Sequence, residues 1–421
     1  MDILLFFVGL LQLLRGKLAT TISIIFILCS TYLQLNIIDP LFVNVMFVHN
    51  VSDVGILLYI LFFLKVGLLK GFVWRGKIQD AVTVFLFFIV LNGIYDSVWN
   101  DTLFGDAVRF IRGKMLLTVV YIAPKLSLDT INRSFRQVAG VTILSSIILL
   151  VQAYAPIQII HFREATERGV KPPITSIIFS AYYLLRYWNL SRVRSLLFFV
   201  LCFLPIVLNL KMTYAVSVLL IVVVFMVFQA RIGTFKKVAG LFVLFVSTVV
   251  FLSVSDRFNE RLNSTIEETS TISSGETSGN FSYRILHAQE RYAYISRSTI
   301  TAIRGIGYVT EAHFRKAPFL LGCWNEERGQ VDQLDNGDIL WSNVFVRIGL
   351  LGLLVYLYLF IKIIVAFYRQ KKDRRSALWF SYLMVSLLFT SLGNDSMWYG
   401  FFFLYPILFR AGSARTKAVR V

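Results

Sequence analysis

Acidic residues are scarce in this chain: 24 Asp and Glu stand against 42 Lys and Arg over 421 residues, a formal net charge of +18. Charged residues of both signs make up only 16%, too few to coat a soluble domain of this length. Cysteine is nearly absent too. Cys29 and Cys202 fall within apolar runs and Cys323 stands alone in a loop, so no disulfide framework is expected in the water-facing part. The missing motifs narrow the chemistry further. Without a GxxxxGK[ST] phosphate loop there is no ATP-driven pump. Without HExxH or a Cys/His cluster there is no zinc site, and without an Asp-x-Asp pair an outer-face nucleotide-sugar transferase is disfavoured. A Gly-x-Ser-x-Gly elbow is also lacking. Neither a metal nor a cofactor is therefore expected. Period-two alternation is absent, which excludes a transmembrane barrel, and no internal repeat supports an inverted-repeat transporter. The opening Met-Asp-Ile-Leu lacks a basic n-region and a small-residue cleavage site, so the first segment is expected to stay uncleaved.

What the chain has instead is apolar residues, 57% of the total, with a mean hydropathy of +0.70. They recur in runs of membrane-spanning length between short charged loops. Backbone groups in lipid must be paired within their own segment, so these runs predict helices. The expected fold is an all-α polytopic membrane protein of about twelve transmembrane helices, near 18–38, 54–69, 80–94, 106–123, 138–155, 173–188, 195–209, 213–229, 236–254, 341–365, 376–391 and 397–410. Residues 3–14 form a further apolar segment, short for a span. Three parts follow: a helical region over 1–255, a large partly helical loop over 256–340, and three helices with a basic tail over 341–421.

The high positive charge does not point to nucleic acid, because the basic residues sit between apolar runs rather than along a soluble face. One set of loops is basic, including Arg15, Lys70, Arg133, Arg192, Lys236 and Arg369 to Arg375. The alternating set is acidic, including Asp39, Asp53, Asp96, Asp106, Glu164 and Asp395. The first set holds about 23 Lys and Arg and the second about 20 of the 24 acidic residues. By the positive-inside rule the basic set is cytoplasmic, and the 256–340 loop lies outside.

Cations on the acidic side are what topology leaves unexplained. Arg109, Arg112 and Lys114 are spaced along roughly one helical face and suit either an anion or snorkelling beside Asp106. Lys211 sits in a tight turn between two spans. Residues 281–303 have amphipathic spacing that puts Arg284, His287 and Arg291 at i, i+3 and i+7 on one helical face. Arginine suits phosphate, since its planar fork donates two parallel charge-assisted hydrogen bonds. Asp335 and Asp338 precede the span at 341, where either a proton-accepting or a helix-capping role fits. His287, His313 and His161 complete the outer acid/base candidates.

Two stretches carry a family resemblance. Asn280-Phe281-Ser282-Tyr283-Arg284-Ile285-Leu286-His287-Ala288, followed by Arg304-Gly305-Ile306-Gly307, resembles the large-loop signature of the O-antigen polymerase/O-antigen ligase superfamily. Asp335-Asn336-Gly337 running into Val346-Arg347-Ile348-Gly349-Leu350-Leu351-Gly352-Leu353 resembles that family's loop exit, and Lys211 falls where a basic residue often opens a span. Layout matches over nearly the whole chain, specific motifs mostly over 280–353. Ligases of the family typically carry a His at the loop exit; Asp335-Asn336 stands here, which favours a polymerase.

The resemblance implies a metal-independent, GT-C-like glycosyltransferase in the bacterial cytoplasmic membrane, working on its periplasmic face. Its partner would be a polyprenyl-diphosphate-linked oligosaccharide, held among membrane lipids, with a chain-length regulator protein as a further candidate partner and no nucleic acid. Arg284, Lys211, Arg291, Arg109 and Arg112 would hold the leaving diphosphate. Asp335 or Asp338 would take the acceptor proton. Trp324, Trp341, Tyr308 and Trp398 are expected either to stack on sugars or to form an interfacial belt. Ligation to lipid A–core and a lipid-linked oligosaccharide flippase are the alternatives.

Overall fold

The computed structural model describes residues 2–30, 51–99, 104–154, 174–190, 193–208, 212–229, 233, 263, 280–308, 319, 321–325, 330–332 and 339–418. These residues are almost wholly helical. Helices α1 (Asp2–Leu14), α2 (Leu18–Cys29), α3 (Val51–Lys70) and α4 (Lys77–Trp99) are followed by α5 (Phe104–Arg112), α6 (Val119–Ile122) and α7 (Leu128–Tyr154). Then come α8 (Thr175–Leu190), α9 (Val193–Leu208), α10 (Met212–Phe228), α11 (Asn280–Ile295) and α12 (Thr299–Arg304). One antiparallel pair, β1 (Cys323–Asn325) with β2 (Gln330–Asp332), precedes α13 (Leu340–Tyr368), α14 (Arg374–Leu388) and α15 (Phe401–Ala418).

Among the described residues five helices are long and apolar enough to cross a membrane: Val51–Lys70, Lys77–Trp99, Leu128–Val151, Leu340–Tyr368 and Arg374–Leu392. Their outer faces explain why. Leu57, Ile60, Leu64 and Leu68 of α3 are exposed in a single stripe, as are Val84, Phe87, Leu91, Ile94 and Val98 of α4 and Leu351, Leu354, Tyr358 and Ile361 of α13. Apolar stripes of this length are unfavourable in water and suit acyl chains. Shorter apolar helices, such as α2, α9 and α10, each reach less than the roughly 30 Å of a bilayer core at about 1.5 Å per residue. The expected span over 236–254 lies outside the described residues, and so does the second half of 18–38.

The inner faces pack as α2 on α3, α4 on α13, α8 on α9 and α10 on α14. Short hydroxyl links join the helices. Ser23 Oγ donates to Gln137 Oε1 at 2.8 Å and meets Ser134 Oγ at 3.1 Å, and Ser134 in turn meets Tyr405 Oη at 2.6 Å. Tyr59 pairs with Thr118 at 2.6 Å, and Thr142 with Thr175 at 2.9 Å. Such bonds hold helices together where lipid offers no competing partner. Lys65, a cation in the middle of an apolar run, donates to the Leu13 and Leu14 carbonyls at 2.6 and 3.2 Å and so closes the C-terminus of α1.

One expectation is refined: residues 106–123 do not form one continuous α-helix. Helix α5 stops at Arg112, residues 113–118 tighten into a 3₁₀ turn, and one short turn of α-helix follows. The Gly113 carbonyl packs against Gly400, a position with no room for a side chain, and the charges at 106, 109, 112 and 114 fall in the broken stretch. Helix α13 follows Ile339, which occupies the N-cap position and makes no side-chain capping bond; Asp335 and Asp338, for which capping was one of two readings, lie outside the described residues.

Candidate active site

Helix α11 carries the strongest sequence candidate and packs on α13. Its amphipathic pattern forms the expected helix, with a turn at 296–298 before α12. Of the three residues sharing one face, His287 and Arg291 are buried and Arg284 is half-buried. His287 Nδ1 and Ser342 Oγ, in the first turn of α13, are 3.0 Å apart. Burial, with the Arg291 charge one turn away, pushes the imidazole down to about 3. His287 is therefore neutral at physiological pH and a weak base, which suits a fixed hydrogen-bond partner better than a proton-transfer group.

Arg291 has a different task from its neighbour. Its Nη1 lies 2.7 Å from Glu290 Oε2, its guanidinium sits 4.2 Å from the centre of the Phe319 ring, and the same Glu290 oxygen accepts the Leu321 amide at 3.2 Å. This arrangement ties Phe319 and Leu321 to α11 and commits the guanidinium to a carboxylate. Tyr283 Oη adds a bond to the Gly322 carbonyl at 3.1 Å.

Arg284, by contrast, has no ion pair or hydrogen bond among the described residues. Its Nη1 rests against Gly393: a methyl group there would stand 3.2 Å from Nη1 and 2.9 Å from Thr213 Oγ1. Uncharged polar side chains are bonded to one another on the same two segments, the start of α10 and the 390–394 turn. Asn394 Nδ2 donates to Tyr214 Oη at 2.7 Å, Ser217 pairs with Thr390 at 2.8 Å, and Trp341 Nε1 donates to Ser391 Oγ at 2.9 Å. Helix α11, the start of α10 and the 390–394 turn thus meet at a guanidinium with no ion pair or hydrogen bond among the described residues. Lys211 precedes Thr213 by two residues but lies outside the described residues, as do Asp335, Asp338 and His313.

The Arg109 group does not act as one array. Arg112 Nη1 binds the buried Asp53 at 2.8 Å, across to α3. Arg109 is 47% exposed and lies 3.5 Å from Asp106, the snorkelling pair expected as one of its two readings. Lys114 is buried in an aromatic cage, 4.4 Å from the centre of Phe110 and 4.1 Å from that of Trp398. Arg109 and Arg112 already diverge within α5, and Lys114 lies beyond it in the 3₁₀ turn. Tyr308 and Trp398 are buried, Tyr308 stacked 3.9 Å from Phe110, so both are core rings rather than sugar platforms.

A third cluster escaped the sequence reading. Arg304 pairs with the fully buried Asp96 of α4, whose other oxygen accepts the Tyr308 amide at 2.8 Å, while Tyr308 Oη donates to the Ile89 carbonyl at 2.8 Å. Gly307, at φ 89°, passes so close to Asp96 that no side chain fits. The chain then locks onto α13, where Gly349 breaks the helix at φ 64° and ψ −171°. Carbonyls 346 and 347, which an unbroken helix would direct to residues 350 and 351, instead accept the amides of Ile306 and Gly307 at 2.8 and 3.2 Å. The two glycine motifs of the resemblance are therefore in contact. No signal in the sequence paired Asp96 with Arg304, since the two are 208 residues apart.

Comparison of the sequence with protein-family models and with curated proteins finds no match.

Proposed function

We propose that this protein polymerises polyprenyl-diphosphate-linked oligosaccharide repeat units into O-antigen or a related surface polysaccharide, at the outer face of the bacterial cytoplasmic membrane. The observation that carries this reading is Arg284: a half-buried guanidinium with no acid partner among the described residues, set among hydroxyl and amide groups at the start of α10. The family motifs and the segregation of basic from acidic loops support it. In this reading about twelve spans place the 256–340 loop outside.

In the reaction, an acceptor sugar hydroxyl attacks the anomeric carbon of the donor, and the bond from that carbon to the diphosphate oxygen breaks. The proton passes to Asp335 or Asp338, and the electron pair leaves with the polyprenyl diphosphate. Arg284 and Lys211 stabilise that charge as it develops, a contribution that is large in a partly dry site. Arg284 then serves catalysis and Arg291 serves the fold, although both lie on one helical face.

The test is Arg284→Ala, with surface-glycan length read on a gel. Ladders should collapse to single-repeat product, with turnover falling about 10²–10³-fold, the usual cost of one charge-stabilising donor. Normal ladders would sink the assignment, and complete loss of lipid A–linked glycan would favour ligation instead. Rescue by R284K would argue that charge rather than bidentate geometry matters. A flippase requires a cationic path through the helices. Lys65, one of the few cations within the apolar runs, closes α1 instead, which counts against that alternative.

A further inference from the structure

A cavity of about 690 Å³ opens at the other end of α4 and α13, bounded also by α15 and the 120–124 segment. Its polar lining is one-sided. Lys77, Lys362, Arg369 and Arg410 face it, against the single carboxylate of Asp80. None of the four cations has an ion pair among the described residues. Arg410 Nε is buried without a hydrogen-bond acceptor among the described residues, which is costly for a guanidinium unless a ligand oxygen completes it. The first turn of α4 also faces the cavity and contributes the positive end of a 23-residue helix. Lys362, the other cation within an apolar run, is accounted for by this site.

The remaining walls are apolar, including Val365 and Ile407. Tyr358 and Ile361 belong both to the cavity and to the exposed stripe of α13, so the cavity opens onto the surface suited to acyl chains. A soluble anion would leave that wall unused, and a zwitterionic head group would bring its own cation among four others. We infer that the cavity binds a glycerophospholipid with an anionic head group, its phosphate among Lys362, Arg369 and Arg410 and its chains along the Tyr358–Val365 face. Basic pockets between membrane helices are suited to such lipids, each cation near the head group being worth about a fivefold change in binding. The inference is independent of the glycan chemistry proposed above, which uses the opposite end of α13.

Native mass spectrometry of the full chain, released from detergent containing equal amounts of phosphatidylglycerol and phosphatidylcholine with matched chains, tests it. The wild type should retain phosphatidylglycerol preferentially. K362Q/R410Q should lower that retention by about thirtyfold, and the charge-keeping K362R/R410K should preserve it. V365W, which obstructs the apolar wall with charge unchanged, should also lower retention, and R133Q, outside the cavity, should not. Equal retention of the two lipids, or an unchanged signal in K362Q/R410Q, overturns the assignment. So does displacement by millimolar inorganic phosphate, which would mark a free-anion site, or by polyprenyl phosphate, which would mark a carrier-lipid site.

Discussion

The two ends of α4 and α13 treat positive charge in opposite ways. Around the C-terminal end of α4 and the loop helices, Arg304 is matched to Asp96 and Arg291 to Glu290, and each pair fastens one segment to another. At the N-terminal end of α4, four cations share one carboxylate around a cavity. The difference separates cations that hold the fold from cations left for a ligand. By that criterion Arg284 belongs with the second group, although it lies among the first.

The sharpest way to break this comparison is to strand a paired cation. Asp96→Ala leaves Arg304 without its carboxylate and removes the acceptor of the Tyr308 amide, in a site where Asp96 is fully buried and Arg304 only 15% exposed. Thermal unfolding in detergent should show a loss of about 3–5 kcal/mol, the usual cost of an uncompensated buried charge. Arg284→Ala removes no ion pair among the described residues and should leave the unfolding curve nearly unchanged. A comparable loss of stability in both variants would erase the distinction drawn here.

A smaller effect tests the neutral histidine. His287 binds a proton more weakly in the folded chain than in the unfolded one, so unfolding takes up a proton between about pH 6.5 and about 3. Its contribution to stability is complete above about 6.5 and declines as the pH falls through that window. His287→Gln should reduce the pH dependence of the unfolding midpoint below 6.5, read against the wild type under the same conditions. If the two profiles superimpose, the imidazole is not held neutral by its burial beside Arg291. The smallest effect belongs to Arg109→Ala. With Arg109 47% exposed and its carboxylate partner one turn away at 3.5 Å, the change should be below about 1 kcal/mol.

How much of this was legible in the sequence depends on the range of the interaction. The helical register of α11, with Arg284, His287 and Arg291 on one face, follows from local spacing. The division of labour within that face does not. Arg291 is claimed by its neighbour Glu290, with Phe319 and Leu321 against the pair; Arg284 lies beside Gly393 and Thr213, with no ion pair among the described residues. The 106–123 run reads as one helix by composition, yet its α-helix gives way to a 3₁₀ turn where Gly400 approaches the Gly113 carbonyl and Lys114 enters its aromatic cage. Likewise the Arg304-Gly305-Ile306-Gly307 turn and the Gly349 kink were visible as separate motifs. Their mutual contact was not, because neither glycine requires its unusual backbone until the other segment is in place.

What the sequence by itself determined is the helical, apolar nature of this protein. Those properties come from solvation and backbone pairing, which accumulate residue by residue along each run. Only the tertiary structure decided which cations are neutralised. An ion pair depends on a few ångströms between side chains, and Arg304 meets Asp96 across 208 residues of chain. The same packing left Arg284 beside α10 and Arg410 in its cavity without ion pairs among the described residues.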